Sequence, residues 1–559
     1  MYRSARSGAL TVSAAALTLV LAACGSGQGL GIGTGAELST RPSFNEQPYE
    51  NLRDGGTLRT AAGALNPQFN LFHASATSET RDLWEWYNPR LITFTPTGEA
   101  VVNPDYLTDA TAELVGGSTR VTYTIDPRAV FNDGTPIDWR AFEATWRANN
   151  GSDPARTSRS VAIFGRIASI TPGADDRQAV VTYDGVNVWW QGTFTTLLHP
   201  SAAGVDTFNT GYVNDPHPEW GAGPYTVGAS DLRAGTITFE RNPAWWGRPG
   251  RLDSRTFTVM EPQAAVNAFR NGELDATQVG NAEALAQAGS VPDAEIRISG
   301  TTAVSLVTLN SAAPMLSDPA VRRSVLEGID RDQLVEIAFQ GMDYTEELPG
   351  SLILQPYQAG YRDNLAEVLQ FDPAAARSGL DAAGWAPGPD GIRVSGGERL
   401  TLSFVQFSDT PTGRAFGMAL TAMMREIGVE LQVRQVPPTE YPAVLAARDF
   451  DVVMSGLAAE NPYGIATLCS LYCSDSSLNK SGTGNSGLDA ELQAVGGLPT
   501  AEEQLTVANE VERVALANYG VLPLGSGPTA WATRPGLANV GASLFARPLP
   551  ETVGWQTGS

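Results

Sequence analysis

Residues 121–146 read VTYTIDPRAVFNDGTPIDWRAFEATW, and the fold is inferred outward from this stretch. Residues 121–125 alternate in polarity, which predicts a half-buried β-strand. An Asn-Asp-Gly turn follows at residues 132–134. Residues 135–146 then have the spacing of an amphipathic helix. The stretch therefore predicts a strand, a tight turn and a helix.

The predicted helix has a recognisable start and one apolar face. Asp138 is the expected N-cap, because its carboxylate can accept hydrogen bonds from the free N–H groups of the first turn. Trp139, Phe142 and Trp146 fall on one face of the helix. Aromatic side chains in this arrangement are typical of core packing. We therefore expect these residues to stabilise the fold, with no chemical role.

The composition limits the class of protein. A chain of 559 residues is too long for a single hydrophobic core, so two or three domains are expected. A content of 42% hydrophobic and 17% charged residues is typical of a globular protein. The formal net charge is −23, and phosphate backbones repel an acidic surface of that size. Nucleic-acid binding is therefore not expected.

The N-terminus has the pattern of an export signal. Two arginines precede an apolar run at residues 10–22, which is short for a membrane span. The next residues, Leu-Ala-Ala-Cys, end at Cys24 and resemble a bacterial lipobox. We expect residues 1–23 to be a lipoprotein signal peptide and residues 24–54 to be a flexible spacer anchored by lipid at Cys24. A cleaved secretory peptide with an unrelated cysteine is the alternative.

The two other cysteines predict a local disulfide. Cys469 and Cys473 are four residues apart, and in an exported protein such a pair favours a bond between them. His73, His199 and His217 are scattered, and no HExxH or paired CxxC motif accompanies them. No metal site and no cofactor are expected.

Several motifs, in chain order, resemble a known family. Residues 121–146 contain a strand, a Phe-x-Asp-Gly-Thr-Pro turn and a helix. This order is similar to the signature region of the extracellular solute-binding proteins, family 5, which serve peptide-type ABC importers. The residues GPYTV at 223–227 and RNPAWW at 241–246 match the hairpin of this family. A helix opened by Asp318, with its continuation RRSVLEGIDRDQLVEIAFQG at 322–341, and a βαβ unit at 400–456 continue the match, which resembles the actinobacterial branch.

The resemblance implies a fold class and a domain order. The expected fold is α/β, with two lobes of the large peptide-binding class of type II periplasmic-binding-protein-like folds. The resemblance places lobe 1 at residues 55–300, with an extra subdomain at about 89–219. It places lobe 2 at residues 301–520 and the return of the chain to lobe 1 at residues 521–559. Such lobes close around a solute by hinge motion.

The resemblance also implies where a solute would be bound. In peptide-binding members, an Asp that follows the strand ending here at Met454 holds the amino group of the peptide, and Glu460 falls at this position. Leu457 replaces a Trp of the family. The expected ligand-binding residues are in the loop after the first strand, in the loop after Met454 and in one aromatic run: Asn70, Phe72, His73, Trp189, Glu460, Asn461 and Tyr463.

Five aromatic residues are candidates for the apolar walls of the cleft. Trp84 and Trp86 are separated by one residue, and in an extended segment this spacing points both indoles to one side. Trp189, Trp190 and Tyr463 are the other three. Since such residues are more often found in a core, both placements are left open.

Two functions are compatible with these observations. The first is a monomeric, lipid-anchored receptor on the extracytoplasmic face of the cell membrane, which binds oligopeptides or a similar solute and delivers it to an ABC permease. The alternative is a cell-envelope lipoprotein on the same scaffold, acting in glycolipid (phosphatidylinositol mannoside and lipoarabinomannan) metabolism without transport. An exported hydrolase is not expected, because the sequence lacks a GxSxG motif and an SxxK motif with a partner KTG.

Overall fold

The computed structural model describes residues 40–342, 344–459 and 461–558. The predicted signal peptide and Cys24 lie outside the described residues. None of the helices in the described ranges is long and apolar enough to cross a bilayer.

The α-helices of the described chain are α1 (Ser78–Tyr87), α2 (Trp139–Asn149), α3 (Val161–Phe164), α4 (Pro262–Asn271), α5 (Ala282–Gly289), α6 (Pro319–Glu327), α7 (Arg331–Ala338), α8 (Pro373–Ala382), α9 (Pro411–Glu426), α10 (Tyr441–Ala447), α11 (Leu468–Tyr472), α12 (Ser486–Val495) and α13 (Ala501–Leu516). The strands are β1 (Thr57–Ala62), β2 (Ile92–Phe94), β3 (Ala100–Val102), β4 (Leu107–Val115), β5 (Ser118–Ile125), β6 (Ile167–Pro172), β7 (Gln178–Tyr183), β8 (Tyr225–Asp231), β9 (Thr236–Arg241), β10 (Ser254–Val259), β11 (Ala276–Gln278), β12 (Glu295–Gly300), β13 (Ala303–Leu309), β14 (Ala386–Pro387), β15 (Arg393–Ser395), β16 (Glu398–Arg399), β17 (Thr401–Gln406), β18 (Glu430–Gln435), β19 (Val452–Ala458), β20 (Val521–Gly525), β21 (Pro528–Thr533), β22 (Leu537–Ala538) and β23 (Gly554–Trp555).

The opening stretch lies in a four-stranded antiparallel sheet of order β4-β5-β7-β6. Strand β5 alternates between half-buried and buried side chains along its whole length. The Asp138 carboxylate accepts a hydrogen bond from the Arg140 N–H at 2.8 Å and caps α2. Phe142 is fully buried, and Trp139 and Trp146 pack half-buried against the same core. The strand, the cap and the core role predicted for these residues are confirmed.

The largest sheet has seven strands in the order β12-β21-β11-β1-β10-β9-β8. Strand β1 runs parallel to β10 and β11, and the other pairs are antiparallel. Strands β8 and β9 form the hairpin that the sequence predicts at residues 223–246. The sheet and the four-stranded sheet share one hydrophobic core.

A second core surrounds a five-stranded sheet of order β18-β17-β19-β13-β20. Strands β17 and β18 are parallel and joined by α9, as expected for the predicted βαβ unit. Strand β13 lies between β19 and β20, and its last four side chains are buried. An uninterrupted apolar run is what a strand covered on both faces requires.

The chain crosses between the two large sheets twice. The first crossing joins β12 to β13, and the second joins β20 to β21 at residues 525–528. We call the part built on the seven-stranded sheet lobe 1 and the part built on the five-stranded sheet lobe 2. The predicted residue boundaries of the lobes remain a proposal. The first crossing supports the boundary at residue 300. The second crossing lies later than the proposed boundary at residue 520, because β20 pairs with β13 in the sheet of lobe 2.

Helix α1 corrects the expectation for Trp84 and Trp86, because this segment is helical and not extended. The Thr77 hydroxyl accepts from the Thr80 N–H, and the Thr80 hydroxyl accepts from the Thr77 N–H, so the two residues form a capping box. Residues two apart on a helix point in different directions. Trp84 is buried with its Nε1–H donating to Thr196 Oγ1 at 3.0 Å, whereas Trp86 packs edge-on against Tyr225.

Candidate functional site

Three adjoining cavities share helix α1 as a wall. Cavity A has a volume of about 160 Å³, cavity B about 380 Å³ and cavity C about 430 Å³. Glu85 and Arg547 line both A and B, while Asp82 and Arg255 line both B and C. Cavity B also reaches the first crossing between the lobes, at residues 300–302. The three cavities therefore form a row along α1, beside the first crossing between the lobes.

An ion-paired trio stands between cavities A and B. Arg547 Nη1 is 3.2 Å from Asp82 Oδ1 and 3.1 Å from Glu85 Oε1. The side chains of Asp82, Arg547 and Glu85 are 54%, 40% and 20% exposed, respectively. Charged groups that are enclosed by protein and yet reached by water can exchange a partner for a ligand. The trio is thus suited to hold the charged groups of a solute.

The carboxyls of the trio respond differently to their surroundings. Burial alone would raise the pKa of Glu85, but the guanidinium groups of Arg547, Arg90 and Arg81 outweigh it, and the pKa is lowered. Burial raises the pKa of Asp82, and the charge of Arg547 opposes this shift without cancelling it. The arginine charges therefore outweigh burial at Glu85, which lines cavities A and B, and do not outweigh it at Asp82, which lines cavities B and C.

Arg255 forms the wall between cavities B and C. Its guanidinium lies 3.7 Å from the ring centre of Phe257 and 5.4 Å from that of Trp86. Nη2 donates to Thr60 Oγ1 at 2.5 Å and Nη1 to the Thr256 carbonyl at 2.8 Å. Burial lowers the pKa of Arg255 to about 9. The side chain therefore remains a cation at neutral pH, held between two aromatic rings.

Cavity A also receives one residue from lobe 2. Asn461 lines it, with its Oδ1 accepting from the Tyr463 N–H at 2.9 Å. The Tyr463 ring lies against Trp189 at 5.2 Å and against Phe94 at 5.7 Å, both in lobe 1. Trp189 Nε1–H donates to Gln504 Oε1 in lobe 2 at 2.8 Å. The lobes are thus in contact at the rim of the cavity that Asn461 lines.

The predicted ligand-binding residues are only partly brought together. Phe72 and Asn461 line cavity A, and Trp189 and Tyr463 form the lobe contact beside it. Glu460 lies outside the described residues.

Two predicted residues are used within the fold and do not line the three cavities. Asn70 is fully buried; its Nδ2 donates to the Phe208 carbonyl at 2.9 Å and its Oδ1 accepts from the Phe72 N–H at 3.0 Å. His73 Nδ1 is 2.7 Å from Ser75 Oγ, and burial lowers the pKa of the imidazole. Asn70 holds the loop after β1 against Phe208, because a buried amide must satisfy its hydrogen bonds within the protein. The His73 contact stays within the same loop.

The predicted disulfide partners lie in lobe 2, away from the row of cavities. Cys469 and Cys473 are joined by a disulfide, with their Cα atoms 4.8 Å apart. Cys473 is fully buried, and the neighbouring Tyr472 hydroxyl donates to the Glu512 carboxylate at 3.0 Å. The bond belongs to the core that holds α11 against α13.

The charged trio and Arg255 were missed by the reading of the sequence. Asp82 and Arg547 are separated by 465 residues, so no local motif joins them. The available signal was the capping pattern at Thr77, which predicts a helix start and would have placed Asp82 and Glu85 on one helical face, since they are three residues apart.

The model of the bacterial extracellular solute-binding proteins, family 5 (middle part), matches residues 104–479. The chain belongs to this family. The chain is 32% identical over 522 residues to the oligopeptide-binding protein OppA of Mycobacterium tuberculosis. This match covers 91% of the chain and 86% of OppA.

Solved structures that superpose on this chain support the fold expected for the family. The periplasmic EDTA-binding protein EppA superposes with a TM-score of 0.82 at 22% identity, covering 94% of this chain and 100% of that one. The oligopeptide-binding protein AppA of Bacillus subtilis, solved with a nonapeptide, has a TM-score of 0.70 at 14% identity, covering 90% and 100%. The predicted fold class, two-lobed and type II periplasmic-binding-protein-like, is confirmed.

Proposed function

We propose that this family 5 protein is a lipid-anchored receptor that binds an oligopeptide or a similar solute between its lobes and delivers it to an ABC permease. The observation that carries the proposal is the row of cavities along α1, where Asp82, Glu85 and Arg547 are enclosed and reached by water. The 32% identity to a protein named for oligopeptide binding supports the same class of solute.

Binding in this row requires no covalent step. The Arg547 guanidinium can donate charge-assisted hydrogen bonds to an anionic group, and the Asp82 carboxylate can accept them from an amino group. Each such bond is worth about 1.5–3 kcal/mol when it is enclosed. The indole of Trp86 borders cavity B and can contact the body of the solute. A few polar contacts thus fix the ends of the solute, and aromatic surface holds its body.

Closure of the lobes supplies the second half of the site. Asn461 reaches cavity A from lobe 2, and Tyr463 is held between Phe94 and Trp189 of lobe 1. We propose Glu460, which precedes Asn461, as an additional anchor for an amino group. A solute that contacts both lobes binds the closed arrangement more tightly than the open one, and it therefore shifts the protein towards the closed arrangement.

Cys24 is the proposed site of lipid attachment, which would hold the folded part on the extracytoplasmic face of the membrane. The protein is proposed to act as a monomer. The lipobox-like residues and the glycine-rich spacer after them support this placement.

The alternative role in envelope glycolipid metabolism is the weaker candidate. It would be favoured by a wide, apolar cleft without charged anchors. Asp82 and Arg547 are both more than one third exposed within the row of cavities, and this favours recognition of a charged solute.

The proposal is tested by native mass spectrometry of the purified full-length chain together with thermal unfolding in a mixture of oligopeptides. A co-purified solute or a saturable rise in Tm is expected, because a ligand of the folded state stabilises it by mass action. Absence of both would contradict a receptor function.

A further inference from the structure

The second crossing between the lobes is two residues long and lies outside the strand ladders. Strand β20 ends at Gly525 and β21 begins at Pro528, so Ser526 and Gly527 join lobe 2 to lobe 1 there. Their backbone N–H and carbonyl groups therefore need partners other than a neighbouring strand. A rotation of one lobe against the other has to change backbone dihedral angles at the crossings.

Side chains take the place of a neighbouring strand at the second crossing. The Glu346 carboxylate accepts from the Ser526 N–H at 2.9 Å and from the Gly527 N–H at 3.1 Å. The Tyr344 hydroxyl donates to the Gly527 carbonyl at 3.3 Å. The Thr301 hydroxyl, from the first crossing, donates to the Ser526 carbonyl at 2.8 Å. Side chains thus satisfy all four backbone polar groups of the two residues.

The geometry of these bonds restricts rotation at the crossing. Successive N–H groups in a turn converge on an anion, and here one carboxylate accepts from both. A rotation about the backbone bonds of Ser526 turns the two N–H groups relative to each other. A rotation about those of Gly527 turns its N–H relative to its carbonyl. Either rotation therefore breaks a hydrogen bond to Glu346 or to Tyr344.

Two glycines leave room for the clamp, the name that we give to Tyr344 and Glu346 together. Gly527 has a φ of +74°, in the left-handed region that favours glycine. A methyl group at Gly527 would also lie 2.7 Å from Phe339 Cζ. A methyl group at Gly525 would overlap the Glu346 carboxylate. The backbone at the crossing is therefore shaped to accept the clamp.

The segment that carries the clamp packs against both lobes. It follows α7, whose Leu334 is buried in the core of lobe 2. Met342 and Tyr344 are buried in a smaller core with residues of α4, α5 and β21 in lobe 1. The segment therefore links the lobes in addition to the two crossings, and it brings Glu346 to the second crossing from a fixed base.

We propose that the clamp holds the second crossing in the conformation that brings the lobes into contact, and that Glu346 is a positioning residue for lobe closure. The inference rests on the proposed receptor function and names a residue that regulates its site. Glu346 does not line cavities A, B or C, so it acts on solute binding only through the crossing. In this structure the clamp is formed while Trp189 and Tyr463 touch across the lobes.

The test follows the lobe contact by fluorine NMR of the full-length chain labelled with fluorotryptophan and dialysed free of solute. Trp189 contacts Tyr463 and Gln504 of lobe 2, so its resonance differs between lobes in contact and lobes apart. The Trp189→Phe variant assigns the resonance. Tyr463→Ala combined with Gln504→Ala removes both partners and marks the position for lobes apart.

Glu346→Gln keeps the size of the side chain but leaves one of the two N–H groups without an acceptor. The ratio of lobes in contact to lobes apart should fall at least about tenfold, the ratio that one hydrogen bond to a charged group supplies. Tyr344→Phe removes one neutral hydrogen bond and should lower the ratio about threefold. Glu347→Gln, at the exposed neighbour, is the matched control and should leave the ratio unchanged.

Gly525→Ala keeps the inference testable if Glu346→Gln does not fold. The added methyl group displaces the carboxylate without removing its charge, and the ratio should again fall. Thermal unfolding of each variant shows whether it is folded.

The outcomes separate the clamp from the receptor function. In folded variants, a ratio that is unchanged or raised by Glu346→Gln or Gly525→Ala would overturn the positioning role, and so would an equal fall in Glu347→Gln. None of these results touches the receptor function, because no solute is present. If the ratio falls as expected but neither a co-purified solute nor a peptide-induced rise in Tm is found, the receptor function fails and the clamp remains.

Discussion

Glu85 in lobe 1 and Glu512 in lobe 2 are both enclosed carboxylates, but their partners differ in kind. Glu85 is 20% exposed and lies 3.1 Å from the Arg547 guanidinium. Glu512 is 0% exposed and accepts hydrogen bonds from neutral donors at 2.6 to 3.0 Å: Ser351 Oγ, Leu352 N, Asn364 Nδ2 and Tyr472 Oη.

The difference also appears in the pKa values. Arginine charges lower the pKa of Glu85, whereas burial raises the pKa of Glu512 more than its four donors lower it. A wet ionic site can exchange its partners for a solute, because water already reaches it. A dry site with neutral donors ties segments of the chain together. The comparison thus supports the proposed binding role of the ion-paired trio in lobe 1 and indicates a structural role for Glu512 in lobe 2.

The largest effect is expected from Glu512→Ala. The change leaves several buried donors without an acceptor, and the free energy of unfolding should fall by about 3–5 kcal/mol. Urea unfolding at neutral pH measures the loss. Glu510→Ala, at an exposed residue of the same helix, is the matched control and should cost less than about 0.5 kcal/mol. A loss below about 1 kcal/mol for Glu512→Ala would remove Glu512 from a structural role.

A third enclosed carboxyl, Glu551, sharpens the comparison through pH. It is 2% exposed, its Oε1 has no hydrogen-bond partner, and burial raises its pKa from 4.5 to about 7. The folded state therefore holds a proton that the unfolded state releases, and stability should fall as the pH rises from 4.5 to about 7.

The expected size of this pH effect is on the order of 3 kcal/mol, since each unit of pKa shift corresponds to about 1.4 kcal/mol. Urea unfolding of the wild type and of Glu551→Gln at about pH 5 and about pH 8 measures it. The variant should gain relative stability at the higher pH. The same difference between the two proteins at both pH values would show that Glu551 does not titrate in this range.

Glu85→Gln should have a smaller effect with the opposite dependence on pH. The lowered pKa of Glu85 means that its charged form stabilises the fold above about 4.5, and that this contribution is lost as the pH falls through the folded-state pKa. The variant should lose about 1 kcal/mol at neutral pH, because the ion pair with Arg547 is partly exposed to water. A deficit that persists unchanged at low pH would contradict the ionic account of this site.

The smallest effect is expected at the lobe contact. A methyl group at Gly192 would lie 3.0 Å from Tyr463 Cδ2, so Gly192→Ala should push Tyr463 away and weaken solute binding about two- to fivefold by opposing closure. Gly289→Ala is the control, because nothing lies within 4 Å of a methyl group there. Isothermal titration with the co-purified solute compares the two variants. Equal affinities would mean that this contact does not contribute to closure.

Local rules accounted for most of the fold. Asp138 and Asp318 are N-caps as the sequence predicts, and the alternation of β5 and the apolar run of β13 are found as strands. These features depend on neighbouring residues alone, and a local pattern is sufficient to predict them.

The site could not be predicted in the same way. Asp82 and Arg547 meet across 465 residues, and their pairing depends on how the C-terminal segment returns to lobe 1. Asn70 was placed in the cleft because it follows the first strand, but its amide satisfies buried backbone groups. Long-range packing decides which polar loop residue faces a cavity, and the sequence carries no local signal for it.

The most direct test of a solute site along α1 is a crystal structure of the full-length protein with its co-purified solute. The account predicts solute density in the row of cavities A to C, with a charged group of the solute within about 3 Å of Asp82 or Arg547. Density that contacts neither α1 nor Arg547, in protein whose lobes are closed, would contradict it.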